Sequence, residues 1–205
     1  MELTGLVAGV DEVGRGALAG PIFGAAVALL PTWDKPLKDS KQYTALQREQ
    51  LYSEIIKQPV SVVGVYGIDE IGIQDANKKV MKDSAETLDH HLRSIGMYIR
   101  KLLVDGTMEV DFDLPDAVIR YEAKADEHYT CVAAASIVAK HLRDQRMKEC
   151  AAVYPQYGFA EHVGYYCTSH IEAIKKYGYC PIHRRSYHIK ELDGIELPEW
   201  SGEAV

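Results

Sequence analysis

The chain has 205 residues, a length that fits one domain of ordinary size or one domain with a small appendage. Hydrophobic residues make up 47% and charged residues 26%, which excludes a disordered or collagen-like chain. The formal net charge is −7, and this acidic balance taken alone argues against a nucleic-acid binder, which usually carries a basic surface.

The first third of the chain has the pattern of an antiparallel meander. Three apolar runs of strand length follow one another closely, and glycines punctuate the connection between the first two. A helical periodicity with Thr44 as its expected N-cap stands before the third run. The predicted elements are strands over 6–10, 21–30 and 60–68 and a helix over 44–56.

The rest of the chain is richer in helical patterns. Two brief apolar runs within it are typical of buried parallel strands. The predicted architecture is therefore a mixed α/β sheet followed by a helical C-terminal part. The predicted elements are helices over 69–95, 126–152 and 169–177 and strands over 102–104 and 117–119.

The four cysteines of the chain are spread without a CxxC pair or a zinc-ribbon spacing. We expect reduced thiols in a cytoplasmic protein, with one disulfide pair as the alternative. The N-terminus has no basic leader and no apolar run reaches the length of a transmembrane helix, so we expect no export and no membrane contact.

Four carboxylates stand at the ends of predicted elements, where clefts form in α/β folds. Asp11 and Glu12 follow the first strand, Asp105 follows a later strand, and Asp126 begins a long helix. Because adjacent strand residues point to opposite faces, a site shared by Asp11 and Glu12 requires the strand to bend before Glu12.

Clustered carboxylates repel one another, which raises the pKa of at least one of them, and a divalent cation removes that repulsion. Oxygen ligands favour magnesium, manganese or calcium over zinc. Two such ions roughly 3.5–4 Å apart can stabilise both the attacking and the leaving oxygen of a phosphodiester displacement. From the spacing alone, helix caps and turn acids are the simpler explanation of the same residues, and a shared metal site stays open as the alternative.

The run from Gly9 to Pro21 reads GVDEVGRGALAGP and resembles the opening of the ribonuclease HII family, the type 2 ribonucleases H. Further elements of that family follow in the family's order along nearly the whole chain, which makes the resemblance specific. They are Asp39-Ser40-Lys41, Val104-Asp105-Gly106, Lys124-Ala125-Asp126, the run 133–140, Arg143-Asp144, the run 154–158, Gly164-Tyr165 and the run 182–187.

The resemblance implies a ribonuclease H-like fold, in which a five-stranded mixed sheet is flanked by helices and followed by a helical C-terminal extension. It implies an endonuclease that hydrolyses RNA in RNA–DNA hybrids and nicks duplex DNA at embedded ribonucleotides, leaving 3′-hydroxyl and 5′-phosphate ends. The implied cofactor is Mg²⁺ or Mn²⁺, with two ions during catalysis. We expect a monomer with a catalytic domain over 1–152 and an extension over 153–205 packed on it, of which 191–205 form an acidic tail.

The resemblance also assigns roles to individual residues. The ribonucleotide-sensing motif falls on Gly14-Arg15-Gly16, where glycines let the backbone approach a 2′-hydroxyl and the arginine can grip a phosphate. The junction tyrosine, which packs on the sugar beside the ribonucleotide, falls on Tyr165. A plain turn and a core tyrosine are the alternatives for these two. The metal-binding carboxylates of the family fall on Asp11, Glu12, Asp105 and Asp126.

Lys41 and Lys140 are expected phosphate contacts, with a solvated lysine as the alternative for each. The chain departs from the family pattern at four other positions. Tyr166 and Cys167 stand where glycine or proline and then threonine are usual, Ala125 replaces a glycine, and Thr107 replaces a common asparagine. Ala125 matters only if the backbone there requires a positive φ.

The histidines predict no metal site, because they are scattered along the chain. We interpret His162, His170 and His183 as surface or stacking residues, and His90 and His91 as solvated positions of a polar helix.

Three other functions fit part of the pattern. A type 3 ribonuclease H carries an N-terminal substrate-binding domain, for which ten residues before Asp11 leave no room. A catalytically silent hybrid-binding module and another nuclease of the same fold, such as a junction resolvase, are the remaining alternatives.

The acidic net charge is unevenly distributed. Residues 1–118 carry 12 basic and 18 acidic side chains, residues 119–190 carry 11 and 7, and residues 191–205 carry five acids and no base. The basic middle segment contains Lys140, Arg143 and Tyr165, so we expect it to form the face that grips phosphates, with modest and salt-sensitive affinity.

Overall fold

The computed structural model describes residues 4–202, so residues 1–3 and the last three residues of the expected acidic tail lie outside the described part. A five-stranded mixed sheet with helices packed on it forms the centre of the molecule. This confirms the predicted α/β architecture. The strands are β1 Thr4–Val13, β2 Ile22–Ala28, β3 Val60–Val65, β4 Met97–Asp105 and β5 Val118–Glu122.

The spatial order of the strands is β3-β2-β1-β4-β5. The first three strands form the predicted antiparallel meander, whereas β4 and β5 run parallel to β1. No helix of residues 4–202 is long and apolar enough to cross a membrane. The helices are α1 Ala45–Ile55, α2 Ile68–Ile71, α3 Ile73–Ser94, α4 Ala125–His128, α5 Thr130–Val153, α6 Phe159–His162 and α7 Thr168–Tyr177.

Capping residues and glycines in the sequence mark several of the helix boundaries. Thr44 caps α1 as predicted, because its hydroxyl accepts from the Gln47 N–H while the Gln47 side chain accepts from the Thr44 N–H. The predicted helix over 69–95 is instead two helices separated by Gly72, which has a φ of +80°. The helix predicted from Asp126 onward is likewise divided, so Asp126 lies in the short α4 rather than at the start of α5.

The two faces of the sheet carry different kinds of core. On one face, α3 contributes large side chains, among them Val80 and Leu88, which pack against Val10 and Leu102 of the sheet. On the other face, α5 contributes a run of alanines together with Ile137. Small side chains let α5 approach the sheet closely, and burial of this apolar surface is the main favourable term in folding.

The sheet opens where β1 continues past the end of β4. The parallel pairing of β1 with β4 ends at Val10 and Val104, whereas the pairing with β2 continues to Val13. Asp11 and Glu12 therefore lie inside a regular strand, and the expected bend before Glu12 is wrong. The two side chains can reach one cleft because β1 is no longer paired with β4 at Asp11 and Glu12. Both faces of β1 are therefore accessible from that edge of the sheet.

Two buried arginines attach the segment between β1 and β2 to the helical part. Arg143 of α5 is 0% exposed and donates to the carbonyl oxygens of Pro21, Val163 and Ala19 at 2.9, 3.0 and 3.3 Å. The expectation that Arg143 belongs to a phosphate-gripping face is therefore wrong. Burial lowers the pKa of the Arg143 guanidinium, but an arginine keeps its charge in proteins, and backbone carbonyls solvate it here.

Arg184, in the C-terminal part of the chain, also binds backbone carbonyls of the segment between β1 and β2. Its Nη2 donates to the Gly20 carbonyl at 2.8 Å and its Nη1 to the Arg15 carbonyl at 3.0 Å. The residues after α5 also contribute their own aromatic cluster, in which the rings of Tyr157 and Phe159 stack with centroids 5.5 Å apart. A helical C-terminal extension is present as expected, and the division of the chain at residues 152 and 153 stays a prediction.

Replacing Arg143 by methionine should lower the free energy of unfolding by about 3 kcal/mol or more, because three backbone carbonyls lose their donor. Urea unfolding followed by circular dichroism measures the change. Arg146→Met is the matched control, since Arg146 lies three residues on in the same helix, is exposed, and makes ion-pair contacts of the kind that contribute about 1 kcal/mol or less. Equal losses in the two variants would contradict the structural role of Arg143.

Candidate active site

A cavity of about 570 Å³ opens at the edge of the sheet where β1 extends beyond its pairing with β4. The structure brings seven of the predicted site residues to its walls, while Gly14, Arg15 and Gly16 lie beside it and do not border it. The predicted site residues that line it are Asp11, Glu12, Asp105, Asp126, Lys41, Lys140 and Tyr165.

Asp11 is the most deeply buried of the four carboxylates, at 6% exposed. Burial raises its pKa well above the usual range, and repulsion from Glu12 and Asp105 raises it further. The Glu12 N–H donates to Asp11 Oδ1 at 2.7 Å, and the Ser136 hydroxyl on α5 also stabilises the charged form. Ser136 in turn pairs with Ser40 at 3.0 Å, which connects the carboxylate to the Asp39-Ser40-Lys41 turn.

Glu12 reaches the same edge from the other face of β1. Burial raises its pKa, repulsion from Asp105 adds to the shift, and the positive charges of Arg15 and Lys41 oppose it. The pKa of Asp126 is also raised, first by burial and then by repulsion from Asp105 and Asp39. Burial and the negative charges around them thus hold Asp11, Glu12 and Asp126 closer to the neutral form than isolated acids.

Asp105 orients the segment that carries Asp126. Its Oδ1 accepts from the Ala125 N–H at 2.7 Å. Ala125 is fully buried and does not have a positive φ, which belongs instead to Lys124 at +60°. Alanine therefore fits the position at which the family has glycine.

The donor set fits a hard divalent cation in chemistry and in electrostatics. Four carboxyl groups supply only oxygen ligands, which magnesium and manganese prefer. A cation beside them would offset the repulsion that adds to the raised pKa values of Asp11, Glu12 and Asp126. As the side chains stand, however, no three or more His, Cys, Asp or Glu residues in 4–202 are arranged to hold a metal ion, so binding requires the carboxylates to draw together.

The two predicted phosphate-binding lysines have different environments. Lys41 is exposed at the cavity wall. Lys140 is partly buried, and its Nζ donates to Asp144 Oδ1 at 2.6 Å and lies 5.8 Å from the centre of the Tyr165 ring. Lys41 is thus free to meet a ligand directly, whereas Lys140 would have to leave Asp144 to do so.

Tyr165 lies on a loop whose position is fixed by contacts with buried groups. The Arg143 guanidinium lies 4.9 Å from the centre of its ring, and the Gly164 carbonyl accepts from the Leu18 N–H at 2.8 Å. The Tyr165 carbonyl accepts from Nδ1 of His170 at 2.9 Å. The ring is half-buried, so one part of it faces the cavity while the backbone is fixed to the segment after β1.

A chain of histidines continues from the Tyr165 carbonyl into the interior. His170 Nε2 lies 3.1 Å from His183 Nε2, and His183 Nδ1 accepts from the Cys180 N–H at 3.0 Å. The ring of His162 stacks on that of His170 with centroids 4.4 Å apart. The stacking interpretation is therefore confirmed for His162 and His170. The surface interpretation is wrong for His170 and His183, which are buried, whereas His90 and His91 are exposed as predicted.

The Gly14-Arg15-Gly16 turn is held by its backbone. The Arg15 carbonyl accepts from the Tyr187 hydroxyl at 2.5 Å and from Arg184, while the Arg15 side chain is exposed. Gly14 has a φ of +96°, and a Cβ on it would overlap the Arg143 side chain. A Cβ on Gly16 would meet nothing within 4 Å, so the fold requires glycine at 14 but not at 16.

Comparisons with known proteins agree with this geometry. A sequence profile of the family described as Ribonuclease HII matches residues 8–190. The chain is 42% identical over 187 residues to a Ribonuclease HII of Pediococcus pentosaceus, covering 89% of this chain and 69% of the relative. It is 38% identical over 200 residues to a Ribonuclease HII of Pelodictyon phaeoclathratiforme, covering 93% of each. The chain belongs to the ribonuclease HII family.

A solved structure supports the same assignment. The ribonuclease H2 of Pyrococcus horikoshii OT3 superposes with a TM-score of 0.71 at 29% identity, over 88% of this chain and 93% of that one. The protein is therefore an enzyme, an endoribonuclease of the ribonuclease H type that acts on RNA in RNA–DNA hybrids.

Sequence reasoning named His170 and the family element 182–187, which contains Arg184 and Tyr187, but it missed that these side chains hold the ribonuclease HII site in place. Arg184 and Tyr187 support the turn at Arg15, and His170 supports Tyr165. Their residue types carry no spacing signal, because the partners are backbone carbonyls far away in the chain. Cys167, at the position of the family's threonine, is the N-cap of α7; its side chain makes no capping bond to the helix backbone but pairs with the Ser169 hydroxyl at 3.2 Å.

The buried histidines should make the stability of the fold depend on pH. Burial lowers the pKa of His170 to about 4 and that of His183 to about 3. Below about pH 6.5 the unfolded chain takes up protons that the folded chain does not bind, so the free energy of unfolding falls as the pH falls toward 4. The carboxylates with raised pKa values act in the opposite direction, so wild type must be compared with a variant.

The measurement is urea unfolding of wild type and His170→Gln at about pH 7.5 and pH 5. The advantage of wild type over the variant should shrink by about 2 kcal/mol at the lower pH. His90→Gln, at an exposed position, should show the same pH dependence as wild type. A wild-type advantage that stays constant with pH would contradict a neutral buried His170.

Proposed function

We propose that the enzyme is a metal-dependent endonuclease that cuts the RNA strand of hybrids and also nicks duplex DNA at single embedded ribonucleotides, leaving 3′-hydroxyl and 5′-phosphate ends. The observation that carries the proposal is the meeting of Asp11, Glu12, Asp105 and Asp126 at one cavity. Carboxylates in a common cleft, three of them with raised pKa values, are the pattern expected of a catalytic site rather than of surface acids.

The four carboxylates would hold Mg²⁺ or Mn²⁺, two ions during catalysis. When bound, such cations supply charge stabilisation at the attacking and leaving oxygens of a phosphodiester. The contribution of the chain is to place the oxygen ligands on three different elements. Ser136 and the Glu12 N–H hold Asp11, and the Ala125 N–H holds Asp105, so each of these carboxylates keeps a defined orientation.

The neighbouring side chains would position the nucleic acid. Lys41 and Lys140 would contact phosphates, and Tyr165 would pack on the sugar beside the ribonucleotide, where a ring tests shape without reading a base. The Gly14-Arg15-Gly16 turn would approach the 2′-hydroxyl with its backbone, because Gly16 leaves open space above it.

Asp11→Asn should abolish cleavage without harming the fold. We expect the cleavage rate of a DNA duplex containing one ribonucleotide to fall roughly 10³-fold in Mg²⁺ and in Mn²⁺, because the cation loses a charged ligand. The free energy of unfolding should rise, since the substitution removes repulsion at a buried carboxylate. Asp83→Asn, on the exposed face of α3, is the control and should cleave as wild type does.

The outcome of this assay separates the alternatives. Undiminished cleavage by Asp11→Asn would contradict the metal-site assignment. Wild type that binds the hybrid tightly and cleaves nothing would indicate a binding module. Cleavage of a four-way DNA junction free of ribonucleotides would indicate a resolvase.

Substitutions at the two glycines of the turn should have different effects, one on the stability of the fold and the other on substrate recognition. Gly14→Ala should lower the free energy of unfolding by roughly 2 kcal/mol, because it introduces a Cβ at a positive φ against Arg143. Gly16→Ala should leave unfolding unchanged and reduce nicking at a single ribonucleotide about tenfold or more, because the methyl group keeps the backbone away from the sugar. Urea unfolding and initial nicking rates measure the two effects, and wild-type nicking by Gly16→Ala would contradict the role of the turn.

A further inference from the structure

A second cavity, of about 410 Å³, lies on the α3 side of the same sheet edge. Glu12 and Asp105 border both cavities, so a nucleotide seated in the second adjoins the nucleotide at the cleaved bond. The exposed side chains of Arg15 and Thr107 form part of its rim. Its α3 wall includes Gln74 and Asn77, which lie three positions apart on one face of that helix.

Asn77 is the only asparagine of the chain, and it is 2% exposed. Its Oδ1 is buried and has no hydrogen-bond partner among residues 4–202. Buried polar atoms without partners are rare in folded proteins, because each loses its hydration without compensation. Gln156 Oε1 and Trp200 Nε1 share this property, but neither of these residues borders a catalytic carboxylate.

No hydrogen bond within residues 4–202 accounts for an amide at position 77. An apolar side chain of similar size would remove the cost of the unpaired oxygen. Side chains that cost stability and border a catalytic cleft are commonly retained for a ligand. The structure therefore indicates a group outside the chain that satisfies this amide.

The chemistry of the oxygen limits what that group can be. An amide group carries one acceptor oxygen and one donor nitrogen, and rotation about the χ2 torsion of asparagine exchanges the two, so a turn of the side chain brings the oxygen to the cavity that the residue borders. There the oxygen needs a hydrogen-bond donor. The shallow groove of a nucleic-acid duplex offers two kinds of donor, the 2′-hydroxyl of a ribose and the 2-amino group of guanine. A 2′-hydroxyl is present at every nucleotide of an RNA strand, whereas guanine depends on sequence.

We propose that Asn77 binds the 2′-hydroxyl of the ribose next to the one at the cleaved bond, an inference that rests on the proposed catalytic site. The second cavity is then a subsite for a neighbouring ribonucleotide. A run of RNA in a hybrid fills it with a ribose, and a single ribonucleotide embedded in DNA fills it with a deoxyribose. Asn77 therefore favours hybrids over single ribonucleotides, and the Gly14-Arg15-Gly16 turn serves both.

The test compares full-length wild type and Asn77→Leu in Mg²⁺ on two duplexes of one sequence. One is an RNA–DNA hybrid, and the other is DNA with one ribonucleotide at the same cleavage position. We expect the KM for the hybrid to rise about fivefold to tenfold and the KM for the second duplex to stay within about twofold. The Tm of the variant should rise, because the unpaired buried oxygen is gone.

Gln156→Leu is the matched control, since it removes another buried amide oxygen that lies away from both cavities. It should leave both KM values unchanged. Equal KM changes on the two duplexes in Asn77→Leu, or no change on either, would overturn the subsite. A hybrid effect that disappears when inosine replaces guanine would assign the contact to the guanine amino group and overturn the 2′-hydroxyl.

The same data distinguish this inference from the proposed function. Wild type that cleaves neither duplex removes the proposed function and the subsite together. Wild type that cleaves both duplexes, combined with an Asn77→Leu variant whose KM changes equally on both duplexes or on neither, removes the subsite alone.

Discussion

The buried guanidinium of Arg143 is the contact on which the rest of the site depends. It donates to carbonyl oxygens just before β2, up to 124 residues earlier in the chain, and to the Val163 carbonyl, 20 residues later, so one side chain joins two distant segments. Arg184 adds bonds to the Arg15 and Gly20 carbonyls. Within residues 4–202, the partners of both guanidinium groups are backbone carbonyls and, for Arg184, the Tyr187 hydroxyl. Because backbone carbonyls solvate the two charges, the turn beside the carboxylate-lined cavity is fixed relative to the helical extension.

Around the two buried arginines, titratable groups shifted toward their neutral forms are buried, whereas charged side chains at the rim of the site are exposed. Burial and mutual repulsion move Asp11 and Glu12 toward their neutral forms, and burial keeps His170 and His183 neutral as well. The charged groups free to meet a nucleic acid are at the rim, where Arg15 and Lys41 are exposed. The net charge of −7 is consequently a poor guide to binding, because part of it belongs to carboxylates whose charge a cation would offset.

Stability and recognition oppose each other at particular atoms. The Asp11 carboxylate and the Asn77 oxygen both cost free energy in the folded chain, one through repulsion and the other through a missing hydrogen bond. Gly14 and Gly16 show the same division in the backbone, since the first is required by packing against Arg143 and the second leaves room for a ligand. Local strain and unpaired groups at functional sites are offset by the well-packed sheet behind them.

The sequence by itself determined the sheet, the meander, the Thr44 cap and the four carboxylates, because these depend on hydrophobic periodicity, local capping and an ordered series of family motifs. It did not determine that Asp11 and Glu12 stay within a regular strand, that Arg143 is buried, or that His170 supports Tyr165. Those features depend on where β4 ends relative to β1 and on bonds to carbonyls distant in the chain. Only the tertiary structure decides them, because a backbone carbonyl is the same at every position of a sequence and becomes a specific partner only when folding brings it to a donor.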